Sequence, residues 1–302
     1  MTGPAGSALG AHMEAELRSQ PEVWRRAADL TGDAPLPGRG ERVAIIGCGT
    51  SWFMAQAYAA LRERADDGGL TDAWVASEAP LHREYDVVVA LSRSGTTTEV
   101  VEAVGRVPAG TRTLAVVADP DTPLAREAGD VLAMPFADER SVVQTRFATG
   151  ALTLLRASLG IDVAPSIEDC VAALDAPLPE AAVSAQQMTF LGTGWTVGLA
   201  HEAALKNREA SQSWTESYPA MDYRHGPIAV AAPGRVVWSF GPAPGGLSGE
   251  VTRTGATFLG RTDIDPLADL VLAQRVALER ARALGLDADS PRALTRSVIL
   301  DG

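Results

Sequence analysis

Two stretches of this 302-residue sequence follow one plan, and that repetition limits what the chain can become. Arg42–Gly47 (RVAIIG) is short and largely apolar. The turn Gly47-Cys48-Gly49-Thr50-Ser51 follows it, and then helical spacing from Trp52 to Arg64. Met188–Leu191, the turn Gly192-Thr193-Gly194 and helical spacing over Thr196–Ser211 repeat the plan. Gly192 lies 145 residues after Gly47, and Gly241 lies 149 after Ser92 at the next turn. Short apolar runs alternating with helical periods predict buried parallel strands joined by helices with right-handed crossovers. The expected fold class is α/β, with two tandem copies of one flavodoxin-like, doubly wound domain. Each copy is expected to be a five-stranded parallel sheet flanked by helices.

In the first copy further strands are expected at Ala73–Ala76, Asp86–Leu91, Thr113–Ala118 and Val131–Met134. One helix should run to about Arg106, and another over Ser141–Leu159 should lead out of the unit. The second copy adds strands at Val236–Phe240 and Ala256–Leu259. The expected divisions are an N-terminal helical arm over 1–40, a first domain over 41–160, a linker over 161–185 and a second domain over 186–302 with a C-terminal tail. The arm is helical from Met13 to Leu30 and closes at Pro35-Leu36-Pro37-Gly38. The linker carries Pro165, Pro177 and Pro179.

Composition narrows the class. Hydrophobic residues make up 46% and charged residues 21%, as in a folded chain. No apolar run reaches the roughly 18 residues that span a bilayer. MTGPAGSALGAH has no Lys, Arg or apolar core, so no secretory signal is expected. Two cysteines form no disulfide framework, and a cytoplasmic setting is expected. The four histidines are scattered without zinc-ligand spacing, so no metal is expected. A net charge of −12 argues against nucleic acid as a partner.

The 26 cationic side chains comprise 25 Arg and one Lys, Lys206. An amine can lose its proton and act as a base or nucleophile, whereas a guanidinium cannot. Lys206 could simply pair with Glu202 four residues before it, worth about 0.2–0.5 kcal/mol. Arg would serve that purpose equally well, so the position of the lone lysine points to chemistry. Glu209 lies three residues on and shares its helix face.

The turns differ in what they can hold. Gly47-x-Gly49-x-x-Trp52 lacks the third glycine of a dinucleotide fingerprint, and no Walker loop follows it, so no nicotinamide cofactor is expected. Ser92-Arg93-Ser94-Gly95-Thr96-Thr97-Thr98 instead joins an apolar strand to a helix, and five of its seven residues are hydroxylic. Helix N-termini present N–H groups and a favourable dipole to anions, so this loop reads as a cradle for a monophosphate. A cap on the helix would need only one hydroxyl. In the second copy Pro242 and Pro244 remove N–H donors at the same place.

Together these residues resemble the sugar isomerase (SIS) family. The tandem form resembles the isomerase domains of glucosamine-6-phosphate synthases and stand-alone amino-sugar-phosphate deaminase/isomerases. The resemblance is carried by Gly47–Ser51, Ala76-Ser77-Glu78, Ser92/Ser94/Gly95/Thr97 and Ala204-Leu205-Lys206-Asn207-Arg208-Glu209. It continues through Glu216–Pro219, Arg224-His225-Gly226-Pro227 and Leu294–Val298. It implies two tandem SIS domains, no cofactor and no metal. It also implies a phosphosugar-binding aldose–ketose isomerase or deaminase acting on an amino-sugar 6-phosphate. Glu209 would be the base, His225 the ring-opening group and Lys206 the cation or imine-forming amine. Ser92, Arg93, Ser94 and Thr97 would hold the phosphate, and Thr50, Ser51, Val142, Gln144 and Arg296 the rest of the substrate. In the family the equivalent of His225 reaches the neighbouring subunit's site, which implies a homodimer. Two alternatives stay open, a fructosamine-6-phosphate deglycase and a non-catalytic phosphosugar sensor. Two departures stand out. Position 2 is Thr and no upstream half is present, so no glutaminase is expected. Arg296 replaces the family's tail Lys.

Overall fold

The computed structural model of the chain describes residues 9–32 and 34–300. Most of the segment read as lacking a secretory signal therefore lies outside the described residues. Two helices, α1 (Ala11–Arg18) and α2 (Gln20–Asp29), open the chain. They replace the single helix expected over Met13–Leu30. Pro21 falls in the first turn of α2, where a residue without an N–H is tolerated, and the chain breaks at Ser19 before it.

The first sheet alternates with helices: β1 (Val43–Gly47), α3 (Thr50–Arg62), β2 (Thr71–Val75), β3 (Val87–Ser92), α4 (Thr98–Gly105), β4 (Arg112–Val117), α5 (Pro123–Glu127) and β5 (Asp130–Ala133). All its pairings are parallel, in the order β2-β1-β3-β4-β5. Three helices follow, α6 (Arg146–Ser158), α7 (Ala164–Asp175) and α8 (Glu180–Val183). The segment read as a linker thus carries two helices. Pro165 sits in the first turn of α7 and Pro179 just before α8, where Pro is compatible with helix, and Pro177 follows the end of α7. Helix α6 starts at Arg146 rather than Ser141, because the Glu139 carboxylate binds the Thr145 and Arg146 amides and holds the preceding residues as a loop.

The second half has β6 (Gln187–Gly192), α9 (Thr196–Ser211), β7 (Thr215–Pro219), β8 (Arg235–Phe240), α10 (Leu247–Arg253), β9 (Thr257–Arg261) and α11 (Pro266–Ala283). Its sheet is parallel in the order β7-β6-β8-β9. This is the order of the first sheet without its last strand. The expectation of five strands in each sheet is therefore corrected to five and four. After β9 the chain enters the 18-residue helix α11 where the first half adds its short fifth strand.

The two halves share one core. Ile45 of β1, Tyr58 of α3, Leu152 of α6, Phe190 of β6, Ala203 of α9 and Val271 of α11 belong to one continuous buried apolar cluster. Burying side chains of this size contributes about 1.5–3 kcal/mol each for the larger ones. Helices α3 and α9 meet at Gly198. A Cβ there would lie 2.3 Å from the Phe53 carbonyl oxygen and 3.0 Å from the Ala57 nitrogen. Among the described residues, no helix is long and apolar enough to cross a membrane.

Because backbone atoms cannot move aside as a flexible side chain can, Gly198→Ala is expected to cost about 1–3 kcal/mol of overpacking strain. A thermal melt of the variant beside the wild type checks this. An unchanged midpoint would mean that the helices separate freely.

Candidate active site

In a sheet of order 2-1-3-4-5, ligands bind beyond the carboxyl ends of the strands where the strand order reverses. Here that point lies between β1 and β3, which pair directly. The chain leaves β1 into Cys48–Ser51 and leaves β3 into Ser92–Thr98, the two turns singled out in the sequence. Thr50 and Ser51 open α3 and are 4% and 6% exposed.

Gly95 sets the shape of the second loop. Its φ is +62°, and a Cβ would come within 2.2 Å of the Thr122 hydroxyl. The Ser92 hydroxyl accepts from the Gly95 amide at 3.1 Å, and the Ser94 hydroxyl from the Thr96 amide at 3.3 Å. Thr97 is the N-cap residue of α4, yet its side chain makes no capping bond. The hydroxyls are therefore more numerous than the helix end uses. Arg93 turns inward instead. It is 1% exposed, donates to the Ser141 carbonyl at 3.0 Å and the Arg296 carbonyl at 2.8 Å, and lies 3.8 Å from the Glu139 carboxylate.

The C-terminal tail crosses this loop. The Thr98 amide donates to the Val298 carbonyl at 3.2 Å, and the Leu300 amide to the Thr98 hydroxyl at 3.0 Å. Thr96 bonds Ser297 at 2.9 Å. The Arg296 side chain, expected at the substrate, instead binds the Glu139 carbonyl and the Asp138 carboxylate. Its planar fork suits two such acceptors.

Helix α9 carries the charged group of the second half. The Lys206 ammonium forms an ion pair and hydrogen bond with Glu209 and lies 3.6 Å from Glu202. Lys206 is 1% exposed and Glu202 0%, whereas the Glu209 side chain is 20% exposed. Burial alone would lower the Lys206 pKa, but the Glu202 and Glu209 carboxylates overcome it and hold the amine above its ordinary value. Glu209 lines two adjoining cavities of about 300 and 410 Å³, with Gln212 and Arg292 in both. Leu205, beside Lys206, faces Gly49 of the first turn.

The loop before α6 completes the surroundings. The Val142 amide donates to the Asp289 carbonyl at 3.3 Å, and the Gln144 side-chain oxygen is buried without a hydrogen-bond partner. Glu16 of α1 accepts from the Arg140 and Ser141 amides. His225 stands apart. It is exposed on the segment after β7. The sequence reading missed Glu139, whose contacts with Arg93 and the α6 N-terminus arise only in the fold. It treated Glu202 as a simple salt-bridge partner, although the four-residue spacing already placed it beside Lys206.

Residues 39–158 of the chain match the family model described as the SIS domain. Curated relatives agree over nearly the whole chain. The isomerizing glutamine–fructose-6-phosphate aminotransferase of Caulobacter vibrioides is 28% identical, covering 96% of this chain and 59% of that protein. The enzyme of the same name from Aeropyrum pernix is 30% identical, covering 91% and 53%. The chain thus spans a little over half the length of the curated relatives it matches. Among solved structures, a glucosamine-6-phosphate deaminase from Thermotoga maritima superposes with a TM-score of 0.78 at 24% identity, covering 95% of this chain and 99% of that one. A tagatose-6-phosphate ketose/aldose isomerase from Escherichia coli gives 0.77 at 20% identity, with 99% of both chains covered.

Burial, with Glu139 nearby, pushes the Glu16 carboxyl up to about 7, against the hydrogen bonds from Arg140 and Ser141. The folded state therefore holds this proton more tightly than the unfolded chain does. The stability it contributes is full below about pH 4.5 and is lost as pH rises through 7. Glu16→Gln cannot titrate, so its denaturation midpoint should fall less than the wild type's across that window. Parallel curves in denaturant titrations would refute this.

Proposed function

We propose that the chain is a phosphosugar isomerase or deaminase acting on an amino-sugar 6-phosphate, built from two SIS-type halves. The observation that carries this reading is the Lys206–Glu209 pair. The chain's only lysine is buried against a carboxylate that borders a cavity, and α9 sets that pair beside the first turn of the other half. The matched relatives and superposed structures, named for fructose-6-phosphate, glucosamine-6-phosphate and tagatose-6-phosphate, support the substrate class.

In this reading the phosphate docks at Ser92, Ser94 and Thr97, where hydroxyls and the N-terminus of α4 favour an anion. Arg93 acts from beneath, as a fixed charge under the loop rather than a direct ligand. Thr50, Ser51, Val142 and Gln144 border the sugar. The tail lies across the loop, so the Thr96–Ser297 and Thr98–Val298 contacts open for substrate to enter. Glu209 removes the proton that moves between C1 and C2 of the open chain, and the Lys206 ammonium stabilises the charge that develops on the adjacent oxygen. An imidazole titrates near neutrality and suits both halves of ring opening. The exposed His225 would perform that step in the site of a second copy, which makes a homodimer the working unit.

Incubation with glucosamine 6-phosphate, fructose 6-phosphate and a fructosamine 6-phosphate, followed by ammonia and keto-sugar assays, tests the reading. Turnover of the first two is expected. Release of free amine from the third alone would favour a deglycase, and tight binding without turnover of any would favour a sensor.

Two further outcomes follow from the residue roles. Calorimetry should give clear binding of glucosamine 6-phosphate and little of glucosamine. Equal affinities would remove the phosphate cradle. Glu209→Gln keeps the shape and deletes the base, so kcat should fall by at least about 10²-fold with the fold retained. Near wild-type kcat would assign the proton to another group.

A further inference from the structure

Lys206 has a second carboxylate that the steps above leave without a task. Glu202 lies one turn before it on α9, fully buried, and neither of its carboxylate oxygens finds a hydrogen-bond partner among the described residues. A buried polar group without such a bond costs folding free energy. Among the buried alanines and leucines of α9, an apolar residue would fill the place without that cost. The groups around Glu202 come from both halves, the Thr50 hydroxyl from the first turn and Lys206 and Glu209 from α9. Lys206 also faces Glu139, from the loop before α6.

Geometry says what this arrangement does. A lysine ammonium rides on a flexible four-carbon stem. One carboxylate three residues on would leave it free to swing about that partner. A second, four residues before, holds it from the buried side. We propose that Glu202 is the positioning residue of the Lys206–Glu209 pair, keeping the ammonium aimed at Glu209 and at the substrate oxygen. This rests on the roles given to Lys206 and Glu209 in the proposed function. Burial pushes the Glu202 carboxyl up to about 8, against the pull of Lys206.

The lone lysine makes a direct test available. Labelling with ¹³Cε-lysine gives one side-chain signal, that of Lys206, which can be titrated without any substrate. In Glu202→Gln the midpoint of that signal should fall by about one unit or more. With a substrate that the wild type turns over, kcat should fall at least about tenfold while KM stays within about threefold. The alkaline limb of the kcat–pH profile should move down with the signal. Glu202→Asp, which restores the charge, should recover part of each effect. A Gln variant with the wild-type Lys206 midpoint and kcat would overturn the proposal. Should that variant fail to fold, Glu202→Met, which keeps the volume and removes the carboxylate, carries the test by the same signal, and an unmoved midpoint and kcat would again overturn it. Absence of turnover by the wild type would sink the proposed reaction and leave the Lys206 titration to decide this inference separately.

Discussion

The close approach of α3 and α9 at Gly198 is the constraint on which the arrangement of the site depends. With no side chain at that point, the Phe53 carbonyl lies where a Cβ would stand. A helix rises 1.5 Å per residue, so Lys206 sits about 12 Å along α9 from that contact. The contact therefore fixes how far the charged group of one half stands from the turns of the other. The packing around it is a single buried cluster through both halves. The repeat visible in the sequence is accordingly a repeat of topology within one shared core.

The chain ends are fastened to the same region. Asp289 binds the His12 and Met13 amides at the start of α1, and Asp287 binds the Gly10 amide. Glu16, from α1, holds the loop that also receives Arg93 and Arg296. Much of the tail's hold on the Ser92–Thr98 loop runs through its backbone, at Arg296, Val298 and Leu300. Such contacts tolerate a change of side chain, which is how Arg can replace the expected Lys at 296 while the tail keeps its course.

Much of this was readable beforehand, for physical reasons. Strands buried on both faces are continuous apolar runs, so β1, β3, β4 and β6 announced themselves. The hydroxyl-dense loop and the lone lysine stood out by composition alone. The four-strand count of the second sheet did not, because it rests on the chain entering α11 after β9 where the first half adds β5. The helices in 161–185 hid behind Pro165, in the first turn of α7, and Pro179, the residue before α8. Arg93 lies in the loop and faces inward. Its partners Ser141 and Arg296 are remote in sequence, and no local pattern signals them. His225 could be ranked from its neighbours, but within a single chain its side chain is exposed.

The burial of Lys206 also shapes the outside of the molecule. Every other cationic side chain in the sequence is an arginine, and the one ε-amine is 1% exposed. A protein surface usually offers many primary amines to aldehydes. Reducing sugars in their open form add to them, forming imines that rearrange into stable adducts. Guanidinium groups stay protonated and react far less readily. Apart from its α-amino group, this surface has no amine for such a sugar to modify, and the side chain that can react lies where the fold controls access to it.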